Sequence, residues 1–156
     1  MRLAVPAALL IPLLTAWLFA IPPVLAEDDA QPDPASRVSK REEMEKLLTD
    51  QTFYGRYSFG GKTWAEYQAA DGRTAYKEEN CIYAGHWWIQ DDLVCYRYEA
   101  FQNGKPACFG LFRHDSQLDF YMPGVNGTWF LNAYTTERRP GNPDKMSVEG
   151  EPCVGA

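Results

Sequence analysis

From Thr52 onward, turn-forming residues recur along the chain: Gly60-Gly61, Asp71-Gly72, Asp91-Asp92, Asn103-Gly104, His114-Asp115-Ser116 and Asn126-Gly127. A spacing of about ten residues leaves room for one short strand between turns and excludes any long helix in this region. The intervening runs carry the residues that strands favour: "TFYGRYSF", "KTWAEYQA", "TAYKEE", "IYAGHWWIQ", "LVCYRYEAF", "ACFGLFR", "LDFYM" and "TWFLNAYT". The expectation is a mainly β domain, an antiparallel meander of seven or eight strands curled into a small barrel or sandwich. One short N-terminal helix should accompany it. In "SRVSKREEMEKLLTD", Ser39 and Glu42 have the spacing of a capping box, and Met44, Leu47 and Leu48 fall on one face of a helix ending near Asp50.

The density of residues 81 to 99, "CIYAGHWWIQDDLVCYRYE", follows from the same two-residue period. Tyr83, Gly85, Trp87 and Ile89 share one face, and Ile82, Ala84, His86 and Trp88 the other. In the next strand Val94, Tyr96 and Tyr98 lie together, opposite Leu93, Cys95 and Arg97. Both faces carry large apolar groups, so the outer face of this strand pair should be partly covered by the helix, the C-terminal tail or a partner.

The N-terminus sets the expected compartment. Met1-Arg2 precedes an apolar run that ends in Val24-Leu25-Ala26 before acidic "EDDA", the layout of a secretory signal peptide over 1–26. A retained membrane anchor is the competing reading, since the run exceeds the roughly 20 residues a span needs, but Pro6, Pro12, Pro22 and Pro23 interrupt it. The expected product is periplasmic or secreted, with no stable membrane insertion after cleavage. Residues 27–35, "EDDAQPDPA", read as a disordered lead-in. A single β-rich domain follows over 36–156, with an irregular tail from about 135.

The mature chain keeps 14 Lys and Arg against 21 Asp and Glu. A negative field of that size disfavours nucleic acid and anionic membrane as partners. Four cysteines in an oxidising compartment read as two disulfides, and no Cys-x-x-Cys pair or Cys/His cluster has metal-ligand spacing. Of three possible connectivities, Cys95–Cys108 and Cys81–Cys153 are preferred, because the first pair brackets a hairpin and the second ties the chain end to the sheet. No metal or cofactor is expected.

The runs "GKTWAEYQAADGRTAY", "GHWWIQDDLVCYRYE", "CFGLFR" and "AYTTERRPGNP" together resemble a group of small secreted alphaproteobacterial proteins forming a domain of unknown function. The shared layout is W-x-x-Y, D-G, G-x-W and L-x-C-x-x-Y with a second cysteine, matched here by Trp64, Tyr67, Asp71, Gly72, Gly85, Trp87, Cys95, Tyr98 and Cys108. The resemblance implies no activity, cofactor or catalytic residue. About twenty residues, a Gly-x-Trp strand before a cysteine-bearing strand, are similar to calycin-like periplasmic protease inhibitors; this implies a lipocalin-like barrel and nothing about inhibition.

Aromatic residues make up 14% of the chain. Either they fill the core, or some line a barrel mouth or concave face. Ligand contact is expected from Trp64, Tyr67, His86, Trp88, Tyr96 and Tyr98, within a wider aromatic set that includes Tyr54, Tyr57 and Tyr76. The leading functional expectation is an exported, non-catalytic envelope domain that binds a small apolar or aromatic ligand or an envelope protein. An alternative is an inhibitor of a protease or other hydrolase, which would need a protruding segment such as the tail from Thr135 or the lead-in. A third is a hydrolase in which His86 pairs with Glu66, Glu78, Asp91 or Asp92. His114 reads as a solvated turn residue, and Arg138-Arg139 as a solvated loop or a dock for an acidic partner.

Overall fold

Each of the eight aromatic-rich runs becomes one strand in the computed structural model, which describes residues 31–150. The elements are β1 (Arg37–Val38), α1 (Arg41–Leu48), β2 (Gln51–Tyr57), β3 (Thr63–Gln68), β4 (Arg73–Glu78), β5 (Cys81–Gln90), β6 (Leu93–Tyr98), β7 (Ala107–His114), β8 (Gln117–Pro123) and β9 (Trp129–Pro140). Every strand from β2 to β9 pairs antiparallel with the next, and β9 returns to pair with β2. The sheet therefore closes into an eight-stranded barrel, and the sandwich alternative is set aside. Closure leaves no free edge among these strands, which is how an aromatic-rich meander avoids pairing with other chains. β1 adds a ninth, two-residue strand against the second half of β7, where β6 has ended.

The turns are sharp because their residues tolerate left-handed backbone: Gly72, Asp91, Asp115 and Asn126 have φ of 84°, 54°, 54° and 57°. Asn126-Gly127 thus serves as a turn between β8 and β9.

Strand alternation assigns the inside of the barrel, and position along the strands assigns its two ends. At one end Phe53, Ile89, Val94, Leu111 and Leu118 form a core cluster with Met44, Leu47 and Leu48, the apolar face of α1. The helix plugs this end. Arg41 Nη2 donates to the Ile89 carbonyl at 2.9 Å, and Arg113 pairs with Glu43 at 2.8 Å, which fasten it at both sides. The expected capping box does not form: Lys40 is the N-cap residue and no side chain caps it, so Ser39 sits one position too early. Packing of the apolar face, rather than the cap, holds this short helix in place.

Two expectations at the termini are corrected. The tail is not irregular from 135, because β9 runs on to Pro140 and its residues Glu137 to Pro140 pair with β2 from Tyr54 back to Gln51. Beyond it the chain stays attached: Gly141 bonds to Asp50 and Thr52, and Tyr54 donates to Asp144 at 2.9 Å. Met146 is buried with Ala65 and Ala75 beneath a cover that includes Tyr67, Ile82 and Val148. The stretch from 141 to 150 therefore lies across the outer face of β2 to β5, and it is the tail that covers the outer apolar side of that sheet. Within the lead-in, residues from Gln31 are placed. Gln31 exchanges two side-chain hydrogen bonds with the backbone of Trp129, and Asp33 caps a single helical turn over Pro34–Ser36. Residues 27–30 and the stretch 1–26, where a leader is expected, lie outside the described residues.

Cys95 and Cys108 are direct partners in the β6–β7 ladder and form a disulfide on the outer face. Cys81 is disulfide-bonded as well. Its expected partner, Cys153, lies outside the described residues. Arg139 stacks over Tyr54 at 5.2 Å and bonds Glu137 at 2.6 Å, so it is engaged within the sheet.

Candidate functional site

The end opposite α1 is not plugged. There the inward side chains of β2, β3, β4, β6, β7, β8 and β9 surround a cavity of about 360 Å³, a size typical of small-molecule sites. Its rings come from alternate strand positions: Tyr57 on β2, Trp64 on β3, Tyr76 on β4, Tyr96 and Tyr98 on β6, Phe109 on β7 and Phe120 on β8. Phe101, from the β6–β7 connection, folds over the mouth. Its ring centroid lies 4.6 Å from Tyr83, 5.7 Å from Tyr76 and 5.8 Å from Tyr98. Such tilted and edge-on pairs contribute roughly 0.5–1.5 kcal/mol each beyond their burial, so the mouth is lined by a rigid aromatic cluster.

Two glycines make room for these rings. A Cβ on Gly55 would lie 2.3 Å from the Trp64 indole, and one on Gly85 would lie 2.4 Å from the Tyr98 ring. No real Cβ sits that close, so glycine at these positions is what lets Trp64 and Tyr98 lie flat against the barrel wall.

One carboxyl interrupts the apolar lining. Glu66 on β3 is only 8% exposed and lines the cavity. Thr74 donates to its Oε1 at 2.9 Å, and the Tyr98 hydroxyl donates to the same oxygen. Burial pushes the Glu66 carboxyl up to about 7, with the two donors opposing that rise in part. Near the mouth, the Tyr57 and Tyr76 hydroxyls are 2.7 Å apart and Tyr76 donates to Glu78 at 2.9 Å. Burial raises the tyrosine hydroxyls of Tyr57, Tyr76, Tyr96 and Tyr98 above their ordinary value, which keeps them neutral donors. Gln68 Nε2 bonds the Tyr96 hydroxyl at 2.5 Å, while Gln68 Oε1 and Trp64 Nε1 are buried without partners among the described residues.

The six residues expected to contact a ligand divide evenly. Trp64, Tyr96 and Tyr98 point inward and line the cavity. Tyr67, His86 and Trp88 do not. Each has the opposite strand parity and stands on the outside of the barrel: Tyr67 among the residues covered by the tail, His86 exposed between Arg73 and Arg97, and Trp88 opposite the disulfide-bonded Cys95. The pairing of His86 with Glu66 or Glu78 also fails, because the barrel wall separates an outward imidazole from inward carboxyls. His114 is exposed at the end of β7, with Nδ1 3.7 Å from Asp119.

Glu66 itself was visible in the sequence as a possible partner of His86, but not as part of a cavity. The signal lay in the triplet Trp64, Glu66, Gln68, which places two polar side chains on the same face as an inward tryptophan. Phe101, Phe109, Phe120 and Met122 carried no such signal, because a cavity ring and a core ring have the same pattern. Among the described residues, no three His, Cys, Asp or Glu side chains are grouped to hold a metal ion. No helix among them is long and apolar enough to cross a membrane. No family model, curated protein or solved structure matches this chain.

Proposed function

We propose that this protein is an exported barrel that binds a small amphipathic ligand, aromatic or apolar in body, in the cavity at its open end. The observation that carries the reading is the cavity of about 360 Å³, lined by aromatic rings and provided with a few convergent polar groups, at the one end of the barrel that the helix leaves unfilled. An aromatic core with no function to serve would gain stability by filling that space, since each unfilled methyl-sized void costs about 1 kcal/mol. The leader over 1–26 and the Cys95–Cys108 disulfide support a periplasmic or secreted location.

The test is native mass spectrometry of protein taken from the periplasm, followed by titration of stripped protein with the neutral fluorophore N-phenyl-1-naphthylamine. Co-purified mass that is lost on denaturation, or saturable fluorescence enhancement abolished by Ala133→Trp, supports the reading. Ala133 lines the cavity and is 4% exposed, so an indole there occupies the space. Bare protein that gives no saturable enhancement overturns it. A polypeptide mass beginning at Met1 instead of near Glu27 overturns the export part alone.

A second reading has its own observation. Phe59 on the β2–β3 turn, Val125 on the β8–β9 turn and Phe130 at the start of β9 are 95%, 79% and 49% exposed, at the same end as the cavity mouth. An apolar rim of this kind suits an envelope protein, including an inhibited hydrolase. The inhibitor version now rests on this rim, because the described tail residues, from Thr135 to Gly150, are paired with β2 or packed on the barrel.

A further inference from the structure

The lining of the cavity is asymmetric in charge. Of the ionisable groups that face Glu66, β2 supplies Tyr57, β4 supplies Tyr76 and Glu78, and β6 supplies Tyr96 and Tyr98, while the exposed Lys105 stands in the β6–β7 connection at the rim. The lining residues from β7, β8 and β9 are not ionisable, and β5 supplies none. Glu78 already has a cation, Lys62, at 3.5 Å. Glu66 has none among the described residues, and both of its donors fall on Oε1, which leaves Oε2 without a hydrogen bond. A carboxyl buried this deeply without a counter-charge is a costly choice for a barrel interior unless something else brings the charge. Around it stand the faces and edges of tyrosine rings, whose electron-rich faces attract cations and repel anions.

We propose that the occupant is an organic monoammonium compound, its cationic head against Glu66 within the rings of Tyr76 and Tyr98 and its apolar body along Phe109, Phe120 and Met122 toward the mouth. This rests on the ligand-binding reading and names the chemistry of its ligand. An ammonium donates to the free Oε2, a cation satisfies the carboxylate, and the rings exclude the water that would otherwise screen the pair. A neutral or anionic head of the same size leaves Glu66 unpaired or repelled.

Burial keeps the empty site partly protonated near neutral pH. Taking up the ammonium then releases the Glu66 proton to solvent, and affinity rises with pH as the carboxylate becomes available. A primary ammonium keeps its own proton through pH 8, so the dependence belongs to Glu66.

The experiment uses three probes with one body: 2-phenylethylammonium, 2-phenylethanol and phenylacetate, each competed against N-phenyl-1-naphthylamine on the whole mature protein. The expected order is the ammonium at least tenfold tighter than the alcohol at pH 8, with phenylacetate weakest. Between pH 8 and pH 6 the ammonium should weaken by about tenfold, from the change in carboxylate fraction around a value near 7, while the alcohol stays constant. Glu66→Gln should remove both the preference and its pH dependence, each probe's affinity being compared with the others on the same variant. The pH profile on the unaltered protein stands on its own if that variant does not fold. Equal binding of ammonium and alcohol, or an ammonium affinity unchanged between pH 6 and 8, overturns the charge assignment and leaves the ligand-binding reading intact. Failure of the naphthylamine itself to bind, to a protein that also carries no co-purified mass, overturns both.

Discussion

Glu66 reports on its surroundings through stability as well as through binding. In the folded barrel its carboxyl holds a proton up to about pH 7, whereas the unfolded chain releases it near the ordinary value of 4.5. Between those values the folded state binds more protons than the unfolded state, so the contribution of this group to stability is greatest below about pH 4.5 and declines as pH rises to about 7. A difference of that size corresponds to about 3 kcal/mol. Urea denaturation of wild type and Glu66→Gln across pH 4.5 to 8 should therefore show the variant gaining about 3 kcal/mol relative to wild type at the upper end. A difference that does not move with pH would place Glu66 in contact with water. Gly85 makes a second prediction at this scale. A methyl there meets the Tyr98 ring at 2.4 Å and the Arg97 carbonyl at 2.7 Å, so Gly85→Ala should cost about 1–3 kcal/mol. In a double-mutant cycle with Tyr98→Ala, most of the ring's share should disappear, and additive costs would count against the clash. The sequence placed Gly85 on one face with Tyr83, Trp87 and Ile89; which ring took the space beside it depended on register across β5 and β6.

At the scale of elements, α1 acts as a stopper and the disulfide as a pin between neighbouring strands. Leu48 is fully buried in the cluster that closes the barrel end. Leu48→Ala should cost about 2–5 kcal/mol by removing methyl groups where the helix cannot follow the loss, read from the urea midpoint. If the change cost under 1 kcal/mol, the helix would be a loosely held cover and the cavity open at both ends. Cys95 and Cys108 close a loop of 13 residues, for which the chain-entropy model gives about 3 kcal/mol. The double replacement by alanine should lower stability by about that amount and leave the strand pairing intact, as judged by an unchanged far-ultraviolet circular dichroism spectrum. The helix and its buried face were legible from spacing alone, and this disulfide was the preferred pairing among three connectivities. The capping box was not a reliable guide, since packing against the barrel end set where the helix begins.

For the whole molecule, closure is the decisive event. β2 and β9 pair residues as far apart as Gln51 and Pro140, and these contacts reward the chain only once that loop is closed. Refolding should accordingly take roughly milliseconds to seconds, as in other sheet proteins dominated by distant pairings, and stopped-flow tryptophan fluorescence would check it. Completion within microseconds would mean that the hairpins carry stability on their own.

The two-residue period and the turn residues by themselves gave an antiparallel meander of seven or eight strands and which side chains share a face, because these depend only on local backbone geometry. They named Trp64, Tyr96 and Tyr98 as ligand contacts only together with Tyr67, His86 and Trp88, which stand on the outside. Three matters were left to the tertiary structure. Closure of β2 on β9 made the sheet a barrel, and so gave one of its faces an inside. The tail from 141 covered the outer face at Tyr67, which a strand pattern cannot distinguish from an inner one. The helix filled only one end, and the difference between a packed core and a cavity arises there, because the same inward aromatic pattern serves both and only the distance to the plug separates them.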